Sequence, residues 1–278
     1  MKPAAFDLVR PRSAAEAARL LAEAGGDAKI IAGAQSLGPM LNLRLVRPRL
    51  LIDITGVSEM TCIEEDEGAV TLGACITTGN IEDGCVGRAV LPSLQAVAAN
   101  IAYRAVRNRG TIGGSVCHAD PAADWVSALC GLGAECIVTS AAATRNVPIE
   151  QFVTGAFETT LGPGEILEAI RIPRPSAKAR WGYNKICRKT GEFAMAIGAV
   201  LKDPDRDVFR MVIGATQGRP IVIADARAFG RDGSSITDVG LDEEAVSRLF
   251  DQRGITNKVA RRQHLAVLQR AFDQATLS

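Results

Sequence analysis

The sequence predicts an α+β protein built from three units, residues 1–57, 58–175 and 176–278. Three observations carry that expectation. The opening third alternates helix and strand around a glycine-bearing loop. A second glycine run, Thr111 to Ser115, follows a long apolar helical stretch and precedes an alanine-rich one. Beyond the proline-bearing stretch Pro173 to Lys178, the best linker in the chain, three strand-like segments are followed by two helical ones. That last part reads as an antiparallel sheet with a helical layer.

The elements follow in order. Ser13, with Glu16 three residues on, forms a capping box, and an Ala- and Leu-rich helix runs from it to a stop at Gly25 and Gly26. Lys29 to Ala32 is a short apolar strand that leads into Gly33-Ala34-Gln35-Ser36-Leu37-Gly38. Asn42 to Arg47 is a short amphipathic piece, with Arg44 and Arg47 on a solvated or subunit-facing edge. Leu50 to Ile54 and Ala69 to Ala74 read as strands, and Asp53 as a strand-end carboxylate that accepts from backbone N–H groups. Pro92 to Val106 reads as one helix, with Leu94, Val97, Ala98, Ile101 and Ala105 at helical spacing. Asp120 is expected to cap a helix that has Pro121 at its first position. Strands follow at Cys136 to Thr139 and Glu165 to Ile172. In the last unit the strands are Trp181 to Arg188, Phe193 to Lys202 and Val208 to Thr216, the latter two joined by Asp203 to Asp207, a turn and nothing more. The helices are Glu243 to Gln252 and Asn257 to Ala275, the second with Val259, Leu265, Leu268, Phe272 and Ala275 on one face. There is no internal repeat and no low-complexity tract.

Composition removes several function classes. Apolar residues make up 47% and the net charge is +1, which gives no electrostatic footprint for nucleic acid or an anionic membrane. The N-terminal stretch MKPAAFDLVRPRS lacks the apolar core of a secretion signal, and no stretch is long enough to span a membrane, so cytoplasm is the expected compartment. The seven cysteines are odd in number, form no CxxC, and match neither a zinc site nor a ferredoxin-type cluster. They read as reduced core thiols.

The chemistry concentrates in two loops. Ala32 to Gly38 and Thr111 to Ser115 combine glycine with hydroxyl side chains, and backbone N–H groups converging there suit a ligand with two linked phosphates. Ser36, Thr111 and Ser115 are hydroxyl donors, and Arg107 and Arg109 add positive charge just upstream of the second loop. There is no GxxxxGK[ST]. Gly131-Leu132-Gly133 follows a helix and precedes a strand, the reverse of the dinucleotide-binding order, and the third glycine is missing. Ser115, His118 and Asp120 lie too close in sequence for a nucleophile triad, and Cys117, His118 and Asp120 match no metal spacing. No catalytic side chain and no metal site are expected.

Three blocks, IIAGAQSLGPMLNLRLVRPRLLIDI, RNRGTIGGSVCHADPAADW and KICRKTGEFAMAIGAV, resemble in order the FAD-binding medium subunit of the molybdenum hydroxylases, the relatives of xanthine dehydrogenase and carbon monoxide dehydrogenase. The resemblance implies a two-subdomain FAD-binding fold of the vanillyl-alcohol oxidase/p-cresol methylhydroxylase type, completed by the C-terminal antiparallel sheet with helices. It implies FAD on this chain, with molybdopterin on a large partner subunit and two [2Fe–2S] clusters on a small one, in a heterotrimer that pairs into a dimer of heterotrimers. Electrons would cross the clusters to FAD and leave to an external acceptor, with no side chain acting as acid or base. The implied cofactor residues are Ala32, Gly33, Ala34, Gln35, Ser36 and Leu37 in the first loop and Thr111, Ile112, Gly113, Gly114 and Ser115 in the second. His118, Asp120, Asp124, Lys185 and Phe193 are implied beside the rest of the cofactor. The family commonly has glycine where this chain has Ala34, and a methyl there is expected to crowd the diphosphate or resist a positive φ. For Asp124 the alternative is a first-turn acid serving the helix dipole, for Lys185 a solvated strand lysine, and for Phe193 a core aromatic. A free-standing FAD-dependent oxidase or reductase, and a non-catalytic scaffold that has lost FAD, are the rival functions.

Overall fold

A parallel sheet opens the chain because each of its strands is separated from the next by a crossover. In this computed structural model, which describes residues 2–85, 91–230 and 240–276, it contains β1 (Asp7–Val9), β2 (Ala28–Ile31) and β3 (Leu50–Asp53), in the order β1-β3-β2. The crossovers are α1 (Ala14–Ala24) and α2 (Leu37–Asn42). Ser13 caps α1 as expected, its Oγ accepting from Glu16 N at 3.1 Å. The reciprocal bond of a capping box is displaced by one residue, since the Glu16 carboxylate accepts from Arg12 N at 2.7 Å. Gly25 ends the helix at φ 56, a conformation open to glycine. The Asn42 to Arg47 piece is not the helix. α2 lies before it and ends at Asn42, because Pro39 sits comfortably in the first turn while the chain turns left-handed at Arg44.

The second sheet is antiparallel, in the order β4-β5-β10-β6-β7. The elements of this stretch are β4 (Ile63–Glu65), β5 (Ala69–Gly73), α3 (Thr78–Glu82), α4 (Leu91–Ala99), α5 (Arg104–Arg107), α6 (Ile112–His118), α7 (Asp124–Leu132), β6 (Glu135–Thr139), β7 (Thr144–Pro148), α8 (Ile149–Phe152), β8 (Val153–Gly155), β9 (Glu158–Thr159) and β10 (Ile166–Pro173), with β8 and β9 paired in a small sheet of their own. Central β10 puts Ile170 opposite both Leu72 and Cys136, and its mostly apolar run reflects burial on both faces. The single helix expected over Pro92 to Val106 is broken in two. Ala102 takes φ 46 and Tyr103 is extended, because Arg107 Nη1 donates to the carbonyls of Ile101 and Ala102, both at 3.0 Å. Trp125, 1% exposed, ties α7 to α3 by donating to Thr78 Oγ1 at 3.1 Å.

The third sheet, β11 (Arg180–Ile186), β12 (Ala196–Asp203), β13 (Val208–Gly214) and β14 (Ile221–Ile223), is an antiparallel meander. α9 (Glu243–Gln252) and α10 (Lys258–Thr276) follow. α10 lies directly on β11 and β12, where a Cβ on Gly182 would meet Ala271 O at 1.8 Å and one on Gly198 would meet Val267 O at 2.7 Å. Its buried face is His264, Val267, Leu268, Ala271, Phe272 and Ala275, and Val259, expected there, is 62% exposed. The 203–207 turn has a second task. The buried Asp203 carboxylate accepts from Ser176 N at 2.9 Å and Ser176 Oγ at 2.5 Å, and so anchors the linker.

All seven cysteines are free thiols. Burial pushes Cys75, Cys117 and Cys130 up to about 12, so they are inert at neutral pH. Cys85 is the exception to the core expectation, being exposed.

Candidate functional site: two loops and a buried ion pair

The first loop leaves β2 at Ala32 and turns through Gly33 and Ala34 into α2. Gly33 is buried against the second loop, and a Cβ there would lie 2.0 Å from Arg109 O and 2.9 Å from Gly110 Cα. Ala34 adopts φ 59, the left-handed region in which a methyl group costs about 1 kcal/mol. The chain accepts that strain and keeps the turn a glycine would make. Gln35 Nε2 donates to Gly33 O at 2.9 Å, and Gly38 N donates to Ala34 O at 2.8 Å. Ser36 precedes Leu37, the first residue of α2, without capping it through its side chain. Among the described residues, the backbone N–H groups of Gly33, Ala34, Gln35 and Ser36 have no acceptor. Four successive donors ahead of a helix form an anion-binding concavity.

The second loop is different from the expectation. Thr111 to Ser115 is the start of α6, with Thr111 as N-cap. Its N–H groups are committed within the fold. Ile112 N donates to Ile76 O at 3.0 Å, Gly113 N to Ala74 O at 2.9 Å, Gly114 N to Thr111 Oγ1 at 3.1 Å and Ser115 N to Thr111 O at 3.1 Å. The glycines serve close packing, since a Cβ on Gly113 would lie 2.4 Å from that of Ala74. What this turn offers a ligand is exposed Gly114, half-buried Ser115 and the Thr111 N–H, which has no acceptor among the described residues.

The loops meet at a cleft of about 440 Å³ lined by Gly33, Thr77, Asn80, Asn108, Arg109 and Thr111, with the exposed Cys85 at its rim. Arg109 has no ion-pair partner among the described residues. Arg107, grouped with it on sequence, is consumed instead, with Nε and Nη2 forked onto the Glu82 carboxylate at 2.7 and 2.8 Å.

The remaining predicted residues cluster further along α6 and α7. The helix expected from Pro121 starts three residues later, at Asp124, because Asp120 folds into a turn of its own. Asp120 Oδ1 accepts from Ala122 N at 2.9 Å, its carbonyl accepts from Ala123 N at 3.0 Å, and Ala123 is extended. Asp124 and Lys185 form a buried ion pair with Nζ 2.9 Å from Oδ1, their side chains 6% and 10% exposed. Tyr183 OH donates to Asp124 Oδ1 at 2.7 Å, and Lys185 Nζ also donates to Asn100 O at 2.9 Å. Burial pushes the Asp124 carboxyl up against the opposing pull of Lys185, and burial with the Asp124 charge pushes the Tyr183 hydroxyl well up. Asp124 is indeed a first-turn acid, as its bland alternative had it, but it is also buried and paired, and Lys185 is no solvated strand lysine. His118 turns to Phe157, ring centroids 5.2 Å apart, at the end of α6 away from the first loop. Phe193 is 63% exposed and therefore no core aromatic. Its neighbour Ala194 donates to Ala122 O at 3.4 Å, which places it beside the same turn.

Sequence reasoning missed Tyr183, the pairing of Arg107 with Glu82 and the carbonyl run of Asn100 to Ala102. Tyr183 was detectable, since Trp181, Tyr183 and Lys185 alternate along β11 and must share one face. Arg107 carried no local signal, because its partner Glu82 is 25 residues away.

Near the parallel sheet lies a row of backbone donors without an acceptor among the described residues, an arrangement able to receive a dinucleotide's diphosphate. The family described as FAD binding domain in molybdopterin dehydrogenase matches residues 4–175. The chain is 34% identical over 225 residues to the caffeine dehydrogenase subunit beta of Pseudomonas sp. strain CBB1, covering 80% of this chain and 76% of that relative. It is 34% identical over 252 residues to the carbon monoxide dehydrogenase medium chain of Hydrogenophaga pseudoflava, covering 90% and 86%. A chain of the solved H. pseudoflava carbon monoxide dehydrogenase lacking the Mo-pyranopterin moiety superposes with a TM-score of 0.87 at 30% identity, over 99% of this chain and 98% of that one. This protein belongs to the FAD-binding medium subunits of the molybdenum hydroxylase family. FAD is its cofactor, and the relatives are subunits of multi-subunit complexes. No helix among the described residues is long and apolar enough to cross a membrane.

Proposed function

We propose that this chain is the electron outlet of a cytoplasmic molybdenum hydroxylase, one of three subunits in a heterotrimer that forms a dimer. Its partners are a small subunit with two [2Fe–2S] clusters and a large molybdopterin subunit. The reading rests above all on the N–H groups of Gly33 to Ser36, which have no acceptor among the described residues, beside a cleft lined by Gly33 and Arg109. When bound, FAD supplies a centre that accepts electrons singly and releases them singly or in pairs.

The chain's own residues bind and orient. The Gly33–Ser36 donors and the Arg109 guanidinium receive the diphosphate, with Ala32 and Leu37 framing that turn. Thr111, Gly114 and Ser115 approach it from the second loop, and Ile112 and Gly113 hold that loop on Ile76 and Ala74. Asp120, Asp124, Lys185, His118 and Phe193 are assigned to the remainder of the cofactor, with the ion pair fixing the Asn100 carbonyl. No side chain is required to move a proton. On this reading residues 1–57 and 58–175 clasp FAD and 176–278 backs them. The visible spectrum of the purified chain, alone and after FAD addition, tests it. A yellow protein that releases FAD on denaturation is expected. A colourless protein that takes up no FAD, in the assembled complex as well as alone, refutes it.

A further inference from the structure

Directly after α2 the chain makes a turn that the isolated chain does not explain. Leu45 N donates to Met40 O and Arg44 N to Leu41 O, both at 2.9 Å. These are the two bonds of a Schellman cap, and they put Arg44 at the left-handed position where glycine is usual. Arg44 takes φ 56 there, at a cost of about 1 kcal/mol relative to glycine. Such a cap ordinarily folds its next residue back onto the helix as an apolar contact. Here that residue, Leu45, is 70% exposed, and Leu43 is 55% exposed. The turn is nonetheless held firmly, since Arg44 Nε donates to Lys2 O at 3.2 Å and Arg47 Nε to Arg44 O at 3.3 Å.

Charge says what kind of surface it meets. Residues 28–52 contain Lys29, Arg44, Arg47 and Arg49 and no acidic residue. Arg44 and Arg47 have no carboxylate partner among the described residues, and Arg49 meets Asp27 only at 3.7 Å with both side chains largely exposed. The neighbouring β1 is the edge of its sheet, with Leu8 50% exposed. Two fixed leucines next in sequence to Arg44 and Arg47, which have no carboxylate partner among the described residues, make an apolar centre with a basic margin. Pre-organisation by the cap lowers the ordering cost of binding there.

We propose that the Leu43–Arg47 turn is the docking point for an acidic, apolar-socketed face of the iron–sulfur partner subunit. The proposal rests on the partner assignment above. Six residues of α2 place this turn about 9 Å along the helix from the Gly33–Ser36 donors. A body seated on it therefore stands next to the cofactor loop.

The test uses the assembled complex, isolated through a tag on this chain. Iron, molybdenum and FAD are measured per mole of chain, with sedimentation for mass. Leu45→Glu, and separately the double reversal Arg44→Glu with Arg47→Glu, should each lower co-purifying iron about 10-fold or more, as expected for a hot spot. FAD uptake should be unchanged, which separates this result from a failure of the flavin reading. Val259→Glu, on an equally exposed apolar residue of α10, should retain iron. Full iron in both turn variants overturns the proposal. So does loss of molybdenum with iron retained, which would seat the large subunit here. Loss only of a self-associated form of this chain, with iron retained, assigns the turn to a second copy and equally overturns it.

Discussion

Gly33→Ala separates close packing from ligand binding. The new methyl would sit 2.0 Å from Arg109 O, and ordinary contact begins near 3.4 Å, so the two loops must part by about 1.4 Å. Backbone stands on both sides of that contact, so no side-chain rotation relieves it. Overpacking of this kind costs about 1–3 kcal/mol. At roughly 2–4 °C per kcal/mol for a chain of this size, the melting temperature should fall by several degrees. The same displacement carries the Gly33–Ser36 donors away from the Arg109 side of the cleft. Loss of one hydrogen bond to a charged group, about 1.5–3 kcal/mol, raises the FAD dissociation constant roughly 10- to 150-fold. Fluorescence titration of the FAD-free chain and a thermal melt measure the two effects. Gly26→Ala, where nothing lies within 4 Å, is the control and should change neither. A Gly33→Ala protein with wild-type affinity and wild-type melting would refute the contact between the loops.

Ala34→Gly removes a methyl group from φ 59 and should hold FAD at least as tightly as wild type, with a melting temperature changed by no more than a few degrees, because relief of strain and added chain entropy oppose each other. A tenfold loss of affinity would show that the methyl group itself contacts the ligand. Asp124→Asn strands the Lys185 ammonium, whose side chain is 10% exposed, and should cost about 3 kcal/mol in urea denaturation, whereas a cost below 0.5 kcal/mol would mean that water reaches the pair. His264 is buried and its Nδ1 has no partner, so burial lowers its pKa below 6.5. The unfolded chain then binds the proton more readily, and this contribution is fully present above pH 6.5 and is lost as pH falls below it. His264→Met should flatten the stability profile between pH 7 and 5, and an unchanged slope would assign that acid sensitivity elsewhere.

Periodicity and caps made most elements legible, because those signals are local. The Ser13 cap, the strands at Leu50 and Ala69 and the 203–207 turn all lie where neighbouring residues dictate them. The break at Ala102 was hidden because its cause, Arg107 held by Glu82, acts across the fold. That most donors of the second loop are already used was hidden for a related reason. A glycine run permits close approach by any group, and only the turn at Ala74 to Ile76, just after β5, shows that protein uses most of its N–H groups. The Asp124–Lys185 pair lay beyond sequence for want of a rule joining positions 61 residues apart, although both residues were singled out.

The family match ends at residue 175, yet α7, inside it, packs against β12 and β13 beyond that point. All nine of its residues are buried. A Cβ on Gly131 would lie 2.8 Å from the Trp181 ring, Ser127 points at Gly214, and Arg210 donates to Cys130 O at 2.7 Å. A truncation at 175 would thus uncover the apolar face of α7 that packs on β12 and β13 and leave Asp124 without its counter-ion. Such a fragment should aggregate where the full chain does not. The C-terminal hundred residues or so thus act as a permanent cover on the helix that carries the ion pair, and its apolar face is complete only when they are present.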